Sequence, residues 1–526
     1  MARGVREAQD STSGDARTVR ETEAKFRVNP TFELPSILGA VAAVTAVDAP
    51  TRISMNAVYY DTQDLRLARE GVTLRRRSGG SDAGWHLKLP VLSHTVPDGT
   101  GVRDEIQLPD SPAIPTELSR LITVWARTAP LRPVATLASE RTTLILRGAD
   151  GVGLAELVDD TVSVEGGSHN QARFRELEVE ATGGDERIVA DVAAVLRDAG
   201  AVGGEFVPKV VRALGPQATT PADPPPPLPV DARDPVSDLV AATLRGYTRL
   251  LMSYDVAVRR GLDDAVHQMR VATRRLRSAL RSFEPLLDKE WADALATELH
   301  WLAGVLGAAR DSEVLRTRLL VGARELPTEA KPAAVALKLA EICDKQCRAA
   351  FDEVYATLIS DRYIALVEQL VDAATYPRTT DAARRPSSVV LPPAIRASWA
   401  TMRRRATAVT RKGRGTPTPT QYHEVRIAAK HVRYLCDAAA PALGPKARKL
   451  GLQVARVQDV LGEQHDAVVA AEFLAGVAAL PRIGSLGFGL GLLFAREEAA
   501  ATAAARSFDV IWPDVIKAKR RRWLTN

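Results

Sequence analysis

The sequence predicts two unlike domains: an α+β domain built on a closed antiparallel β barrel with a polar interior, followed by an all-α domain made of a duplicated helical bundle. Three observations predict this. Short alternating strands recur between residues 20 and 214, each with one charged face. A proline-rich stretch, "GPQATTPADPPPPLPVDARDP" at 215–235, then interrupts the chain. Beyond it the texture turns helical, and a basic motif occurs twice.

Length and charge fit that division. A chain of 526 residues exceeds what one core usually holds. The net charge of +6 splits into −7 before Val236 and +13 from there on, an acidic module tied to a basic one. The expected boundaries are a disordered segment at 1–17, a barrel domain at 18–214, a linker at 215–235 that neither helix nor strand tolerates, and a helical domain at 236–526. Cys343, Cys347 and Cys436 are too few and too unevenly placed for a disulfide framework, and they fit a reducing compartment. The N-terminus lacks the apolar core of a signal peptide. The longest apolar stretch, 467–495, is broken by Glu472, Pro481 and Arg482, so a buried helical hairpin is expected rather than a membrane span. A cytoplasmic protein with no membrane partner follows.

The first strand is "ETEAKFRV", with Glu21, Glu23 and Lys25 on one face and Thr22, Ala24 and Phe26 on the other. "VTLRRRSGGSDAGWHLKLP" reads as a hairpin, with strands over 72–77 and 85–89 and a turn at Gly79-Gly80. On it Arg75 and Arg77 share a face, as do His86 and Lys88. "RDEIQL" joins Arg103 to Glu105, "ERTTLIL" brings Arg141, and "FRELEVEA" aligns Glu176, Glu178 and Glu180. One charged strand face is an edge, but five or six cannot all be edges. The alternate positions, such as Leu74, Leu87, Ile106 and Leu177, are apolar enough to pack outward under helices. A closed barrel with its charges inside satisfies both facts. Its lumen sets Arg and Lys, which suit polyanion oxygens, beside carboxylates, which suit a hard divalent cation. No cysteine or Ser-His-Asp spacing in this half offers a covalent nucleophile, and His86 reads as structural or phosphate-facing rather than as a base.

With "ETEAK", "LRRR", "HLKLP", "RDEI", an arginine before a strand, "AELVDD" and "ELEVE" in this order, residues 18–214 resemble the CYTH superfamily, the triphosphate tunnel metalloenzymes. The resemblance implies an eight-stranded antiparallel tunnel that binds a triphosphate and hydrolyses it with a divalent metal, Mg²⁺ or Mn²⁺. Carried onto this chain, it implies that Lys25, Arg75, Arg77, Lys88, Arg103 and Arg141 hold phosphate oxygens. Glu21, Glu23 and Lys25 would stand at the reacting centre, and Glu21, Glu23, Glu105, Asp159, Glu176 and Glu178 would hold metal or position water. Strand parity does not choose between Asp159 and Asp160; place in the motif favours Asp159.

In the helical half, "HQMRVATRRLR" gives His267, Arg270, Arg274 and Arg277, and "HEVRIAAKHVR" gives His423, Arg426, Lys430 and Arg433 at identical spacing. Matching segments follow, "LGAARDSEVL" from Leu306 and "LGEQHDAVVA" from Leu461, so the repeat is about 155 residues long, right for a duplicated bundle. At about 100° per residue the four basic positions of each copy fall within roughly 80°, and the apolar set (Met269, Ala272, Leu276 and Leu280; Val425, Ala428, Val432 and Leu435) centres roughly 140° away. A basic stripe is therefore expected on the outer face of each copy, without the acids that an ordinary solvated face mixes in. Residues 235–522 resemble the CHAD domain. That resemblance implies two four-helix bundles related by a pseudo-twofold around a basic surface for inorganic polyphosphate, and rows of cations on rigid helices suit such a chain. Arg403–Arg405, 411–414 and 517–522 could extend the track. Aromatics do not interleave the stripes except at Tyr434, which argues against nucleic acid.

The combined expectation is a metal-dependent hydrolase of inorganic triphosphate or a related polyphosphate, whose helical domain binds polyphosphate and places the protein at polyphosphate granules. A polyphosphate-binding protein with a non-catalytic tunnel, and a nucleotide cyclase, are the alternatives. Neither the substrate among tripolyphosphate, thiamine triphosphate, nucleoside triphosphates and long polyphosphate, nor the oligomeric state, can be read from the residues.

Overall fold

The computed structural model describes residues 16–80, 82–91, 100–165, 173–182, 187–203, 207–410, 417–481, 483–517 and 521–524. Most of the segment expected to be disordered, the basic cluster at 411–414 and part of that at 517–522 lie outside the described residues. The chain divides into two compact units, Met1–Asp223 and Pro224–Asn526.

In the first unit, β1 (Arg17–Val28), β2 (Ala46–Val47), β3 (Thr51–Asp61), β4 (Thr73–Ser78), β5 (Gly84–Pro90), β6 (Thr100–Leu108), β7 (Arg132–Arg147), β8 (Gly153–Glu165), β9 (Arg173–Ala181) and β10 (Val202–Gly203) form one antiparallel sheet. The eight long strands run β1-β6-β5-β4-β3-β7-β8-β9, and β9 pairs back onto β1, from Glu23↔Glu180 to Val28↔Arg175. The sheet is thus a closed eight-stranded barrel, with β2 and β10 as short additions.

Alternation sets the two faces of that barrel. Ala24 and Phe26 of β1, Ala155 and Leu157 of β8, and Leu177 and Val179 of β9 turn outward. They are buried under α3 (Arg187–Asp198), against Ile188, Val189, Val192 and Leu196. Every second residue is therefore committed to the inside, charged or not. α1 (Arg66–Arg69) and α2 (Thr116–Ala126) pack on each other, although three strands separate them in the chain. A short helix, α4 (Lys209–Leu214), does something different: its Val210 and Val211 pack on Ala57, Tyr59, Leu137 and Val162, which face the barrel interior. It stoppers one end. The start of the proline-rich stretch folds onto the same end, because Gly215–Thr219 is a 3-10 turn that buries Ala218 there. Proline at the second position of such a turn lacks only an N–H that would go unused. Pro221 then accepts from Arg69 at 2.7 Å, and Asp223 meets Arg127 at 2.5 Å.

The second unit is helical: α5 (Val236–Arg259), α6 (Ala265–Ser282), α7 (Lys289–Arg324), α8 (Pro332–Leu358), α9 (Asp361–Thr375), α10 (Ser387–Thr410), α11 (Pro419–Leu443), α12 (Pro445–Ala478) and α13 (Gly487–Val515). The duplication appears helix for helix. In α5–α8 and again in α10–α13 each helix packs on the next, while α9 lies on α5 and α7. The apolar faces expected for the two motif helices are buried, from Met269 and Leu276 to Val425 and Val432. The far ends of α7, α8, α12 and α13 share one core through Leu319, Leu339, Leu474 and Leu493. The apolar stretch at 467–495 is accordingly a helical hairpin, and no helix among the described residues is long and apolar enough to cross a membrane. α11 starts on a capping box, Thr418 with Gln421, which fixes the first turn of the second basic stripe.

Candidate functional site

The barrel encloses a cavity of about 330 Å³ lined by Lys25, Arg75, Arg77, Lys88, Arg103 and Arg141, all six of the cations expected to hold phosphate, together with Glu21, Glu23, Glu105 and Glu178. Strand parity delivers them. Arg75 and Arg77 of β4 turn in, while Arg76 between them turns out to Asp110 at 2.6 and 2.9 Å. Lys209 of α4 reaches in from the stoppered end, and exposed Arg17 lines the cavity as well.

Most of the charges inside have an opposite neighbour. Arg141 donates to both oxygens of Asp160, at 2.9 and 2.6 Å. Lys209 Nζ lies 2.7 Å from Asp160, 3.0 Å from Glu178 and 3.1 Å from Glu176, and Arg212 adds a bond to Glu176 at 2.7 Å. Lys88 meets Glu21 at 2.5 Å, and Lys25 meets Glu23 at 3.0 Å and Glu178. Arg75 bridges the Tyr59 hydroxyl and Glu105. The His86 ring is a strut between the Asp82 carbonyl at 2.8 Å and Glu105 at 3.1 Å, and it does not line the cavity.

The wall is nevertheless divided. Around α4 cations dominate: burial raises Glu178, but Lys209, Lys25 and Arg141 hold it well below the usual carboxylate range. On β1, β8 and β9, Glu23 stands directly across from Glu180, and Glu180 across from Glu156. Burial, with Glu105, Glu180 and Glu23 nearby, pushes Glu21 up to about 8 despite Lys88. Burial pushes Glu180 up to about 7, with Glu23, Glu156 and Glu178 adding to it and Lys88 opposing. Glu23 Oε1 is buried and unpartnered. Among the described residues no three carboxylates close on one point, since lysines stand against them. The donor set still fits a hard divalent cation: oxygen ligands only, crowded enough to resist ionisation, and one oxygen left over.

In the helical unit the two stripes meet, because α6 packs against α11. His267, Arg270, Arg274, Arg277, His423, Arg426, Lys430 and Arg433 are all partly buried, so the stripes, expected on the outer face of each copy, are only partly open to solvent. The reason is the crossing itself, which turns both stripes toward one junction. Burial lowers Arg274, seconded by Arg270, Arg433 and Arg426, and opposed by Tyr434. Burial likewise lowers Arg426, His267 and His423. Nδ1 of both histidines and Nε of Arg274 and Arg426 are buried without a partner. Gly307 and Gly462, matched in the two copies, lie against Arg270 and Arg426: a Cβ there would stand in ordinary contact, 3.6 and 3.7 Å from the guanidinium.

The comparisons divide the chain at the same place. The CYTH domain model matches residues 19–213 and the CHAD domain model residues 242–475. An uncharacterized protein of Mycobacterium tuberculosis, Rv2226, is 32% identical over 525 residues, covering 95% of this chain and 97% of its own. The chain belongs to the CYTH–CHAD family. Among solved structures it is similar to the CHAD domain from the plant Ricinus communis, at 25% identity over 55% of this chain and 96% of that one, with a TM-score of 0.42. It is also similar to a putative adenylyl cyclase from Hippeastrum described as having a dominant triphosphatase activity, at 19% identity over 38% of this chain and 98% of that one, with a TM-score of 0.24.

Within the CYTH unit two of the expected metal ligands sit elsewhere. Asp159 points out of the barrel and pairs with Arg175 at 2.9 and 2.7 Å, whereas Asp160, fully buried, is the inward residue. Parity decides it: Ala155 and Leu157 lie in the outer core, so Glu156, Val158 and Asp160 face in. Glu176 is buried behind Lys209 and Arg212 and does not line the cavity. Lys209 and Glu156 line it without being named from the sequence, and Glu180, placed on the charged face of its strand, lines it without having been given a ligand role. Glu180 shared the parity of Glu178 in "ELEVE", and Glu156 that of Asp160 in "AELVDD". Lys209 offered a fainter signal, a lone cation before an apolar pair in "PKVV".

Proposed function

We propose that the CYTH unit is a metal-dependent triphosphatase acting on inorganic triphosphate or a related polyphosphate, and that the CHAD unit binds inorganic polyphosphate. One observation carries the reading: eight cations from five strands and α4 converge on one cavity that also holds buried carboxylates. Phosphoryl transfer asks mainly for positioning and for neutralising charge. The Arg75 and Arg141 forks suit non-bridging oxygens, and Lys25, Lys88 and Lys209 supply point charges. In the resting state these lysines neutralise the carboxylates. A phosphate chain entering the cavity gives Lys25 and Lys88 new partners and frees Glu21 and Glu23, which with Glu180 would hold Mg²⁺ or Mn²⁺. Such an ion supplies charge neutralisation and a water acidified toward neutral pH.

In the CHAD unit, the unpartnered Nε–H donors of Arg274 and Arg426, with the unpartnered Nδ1 atoms of His267 and His423 beside them, support a polyanion as ligand. On this reading the protein works in the cytoplasm, at polyphosphate granules; the buried free thiols of Cys343 and Cys436 support a reducing compartment. The test is phosphate release from tripolyphosphate, thiamine triphosphate, ATP and long-chain polyphosphate, with Mg²⁺ or Mn²⁺. Release from tripolyphosphate that EDTA abolishes and Glu23→Gln lowers about 100-fold is expected. A chain that binds tripolyphosphate but releases no phosphate from any substrate would be a binding protein instead.

A further inference from the structure

We infer that Lys430 is a reactive amine that acyl phosphates acylate, a modification that removes the one convertible charge at the junction of the two stripes. The effect on ligand binding rests on the polyphosphate reading; the reactivity does not.

Lys430 occupies in the second copy the position that Arg274 holds in the first. It lines a cavity of about 510 Å³ between α6, α7 and α11, beside Arg274, Arg277, Arg281, His431 and Tyr434; Glu284 and Asp293 line the same space. The Arg274 guanidinium lies 5.5 Å from the centre of the Tyr434 ring, one turn along α11 from Lys430. Among the described residues no carboxylate pairs with Lys430. Its charged neighbours are Arg426 on its own helix, Arg270 and Arg274 on α6, and Asp466 on α12.

Three other buried lysines provide an internal comparison. Lys25, Lys88 and Lys209 are all raised above the ordinary lysine value because carboxylates outweigh burial. Lys430 meets arginines instead. Burial, then Arg426, Arg274 and Arg270, push it down to about 8, so a substantial share is neutral near neutral pH. A neutral amine is a nucleophile, and the surrounding guanidiniums recognise a phosphate end. In the reaction the Nζ lone pair attacks the acyl carbon, and the N–C bond forms as the bond from carbon to the bridging phosphate oxygen breaks. Phosphate leaves with that electron pair, and the surplus amine proton passes to solvent. The product is a neutral amide among arginines. No arginine of either stripe can be converted this way, so only one copy is switchable.

The experiment treats the full chain with acetyl phosphate at pH 7.5 and follows site occupancy by peptide mass spectrometry. Lys430 should react about tenfold faster than exposed Lys446 and Lys449, the gain in neutral fraction exceeding the loss of intrinsic nucleophilicity. Arg426→Gln, or Arg270→Gln if the first does not fold, should slow Lys430 about threefold and leave Lys449 unchanged. Equal rates at Lys430 and Lys449, or a rate at Lys430 indifferent to these substitutions, would overturn the inference. Long-chain polyphosphate should protect Lys430 alone, and acylation should weaken its binding about tenfold. Preferential acylation without protection or weakening would uphold the reactive amine and count against the polyphosphate reading.

Discussion

Arg141 of β7 and Asp160 of β8 are directly paired across the sheet, and the guanidinium donates to both carboxylate oxygens inside the barrel. The pair fixes the guanidinium plane before any ligand arrives. Asp160→Asn should lower phosphate release at least tenfold and cost about 3 kcal/mol in urea unfolding, because Arg141 and Lys209 lose a buried counterion. Asp159→Asn removes only the pair with Arg175 on the outer face of the barrel and should cost under about 1 kcal/mol, with activity unchanged. Equal effects at the two positions would contradict the inward placement of Asp160.

Lys209 is the sole contribution of α4 to the cavity wall apart from the helix's apolar contacts, and three carboxylates depend on it. Lys209→Ala should destabilise the CYTH unit by about 3 kcal/mol, more than the cost of a surface lysine. Urea unfolding at pH 7 measures it. Because the buried carboxylates left without Lys209 take up protons in acid, the deficit should shrink as pH falls toward 4.

Arg75 tests fork against charge. Its guanidinium spans Tyr59 and Glu105 in a wall 12% exposed at that side chain. Arg75→Lys keeps the charge and loses the planar geometry, and should weaken tripolyphosphate affinity about tenfold; Arg75→Ala should weaken it about 100-fold. Calorimetry with tripolyphosphate separates the two.

Much of this arrangement was legible in the strands and little of it in the loops. Alternation in "ETEAKFRV" and "TLRRRS" committed Lys25, Arg75 and Arg77 to the interior once closure was assumed, since a barrel has only two faces. "LVDD" was ambiguous because Val158 is apolar yet faces inward, which breaks the alternation that would have selected Asp160. Lys209 lies on a short helix, where period-two reasoning says nothing. In the CHAD unit the helical period set each stripe correctly on its own helix. That α6 would cross α11, and partly bury both stripes, is a tertiary fact with no local signature.

The stripes should act together. Ala replacements in His267, Arg270, Arg274 and Arg277, or in His423, Arg426, Lys430 and Arg433, should each cost more than half of the polyphosphate affinity of the full chain. The dependence of log K on log salt should flatten by roughly 0.7 per cation removed. Fluorescence titration at several salt concentrations, with duplex DNA as competitor, is the measurement; unchanged affinity with both stripes replaced would dismiss the surface.

Polyphosphate affinity should also fall as pH rises from 7 to 9. Lys430, at about 8 in the free protein, must be protonated to meet a polyanion, and the bound anion raises its pKa. Above 8, each further unit of pH therefore costs up to tenfold in the contribution of that site. Lys430→Arg stays charged and should flatten the profile over this range, with affinity at pH 7 little changed.

The helix that stoppers the barrel has a consequence for which phosphates such a protein would take. A tube open at both ends could be threaded anywhere along a polymer, but a thimble meets it only at a terminus. On the proposed function the enzyme therefore counts from the end of its substrate and shortens a long chain one tip at a time. A ring of phosphates offers no tip, however well its charge matches the wall, and would be turned away.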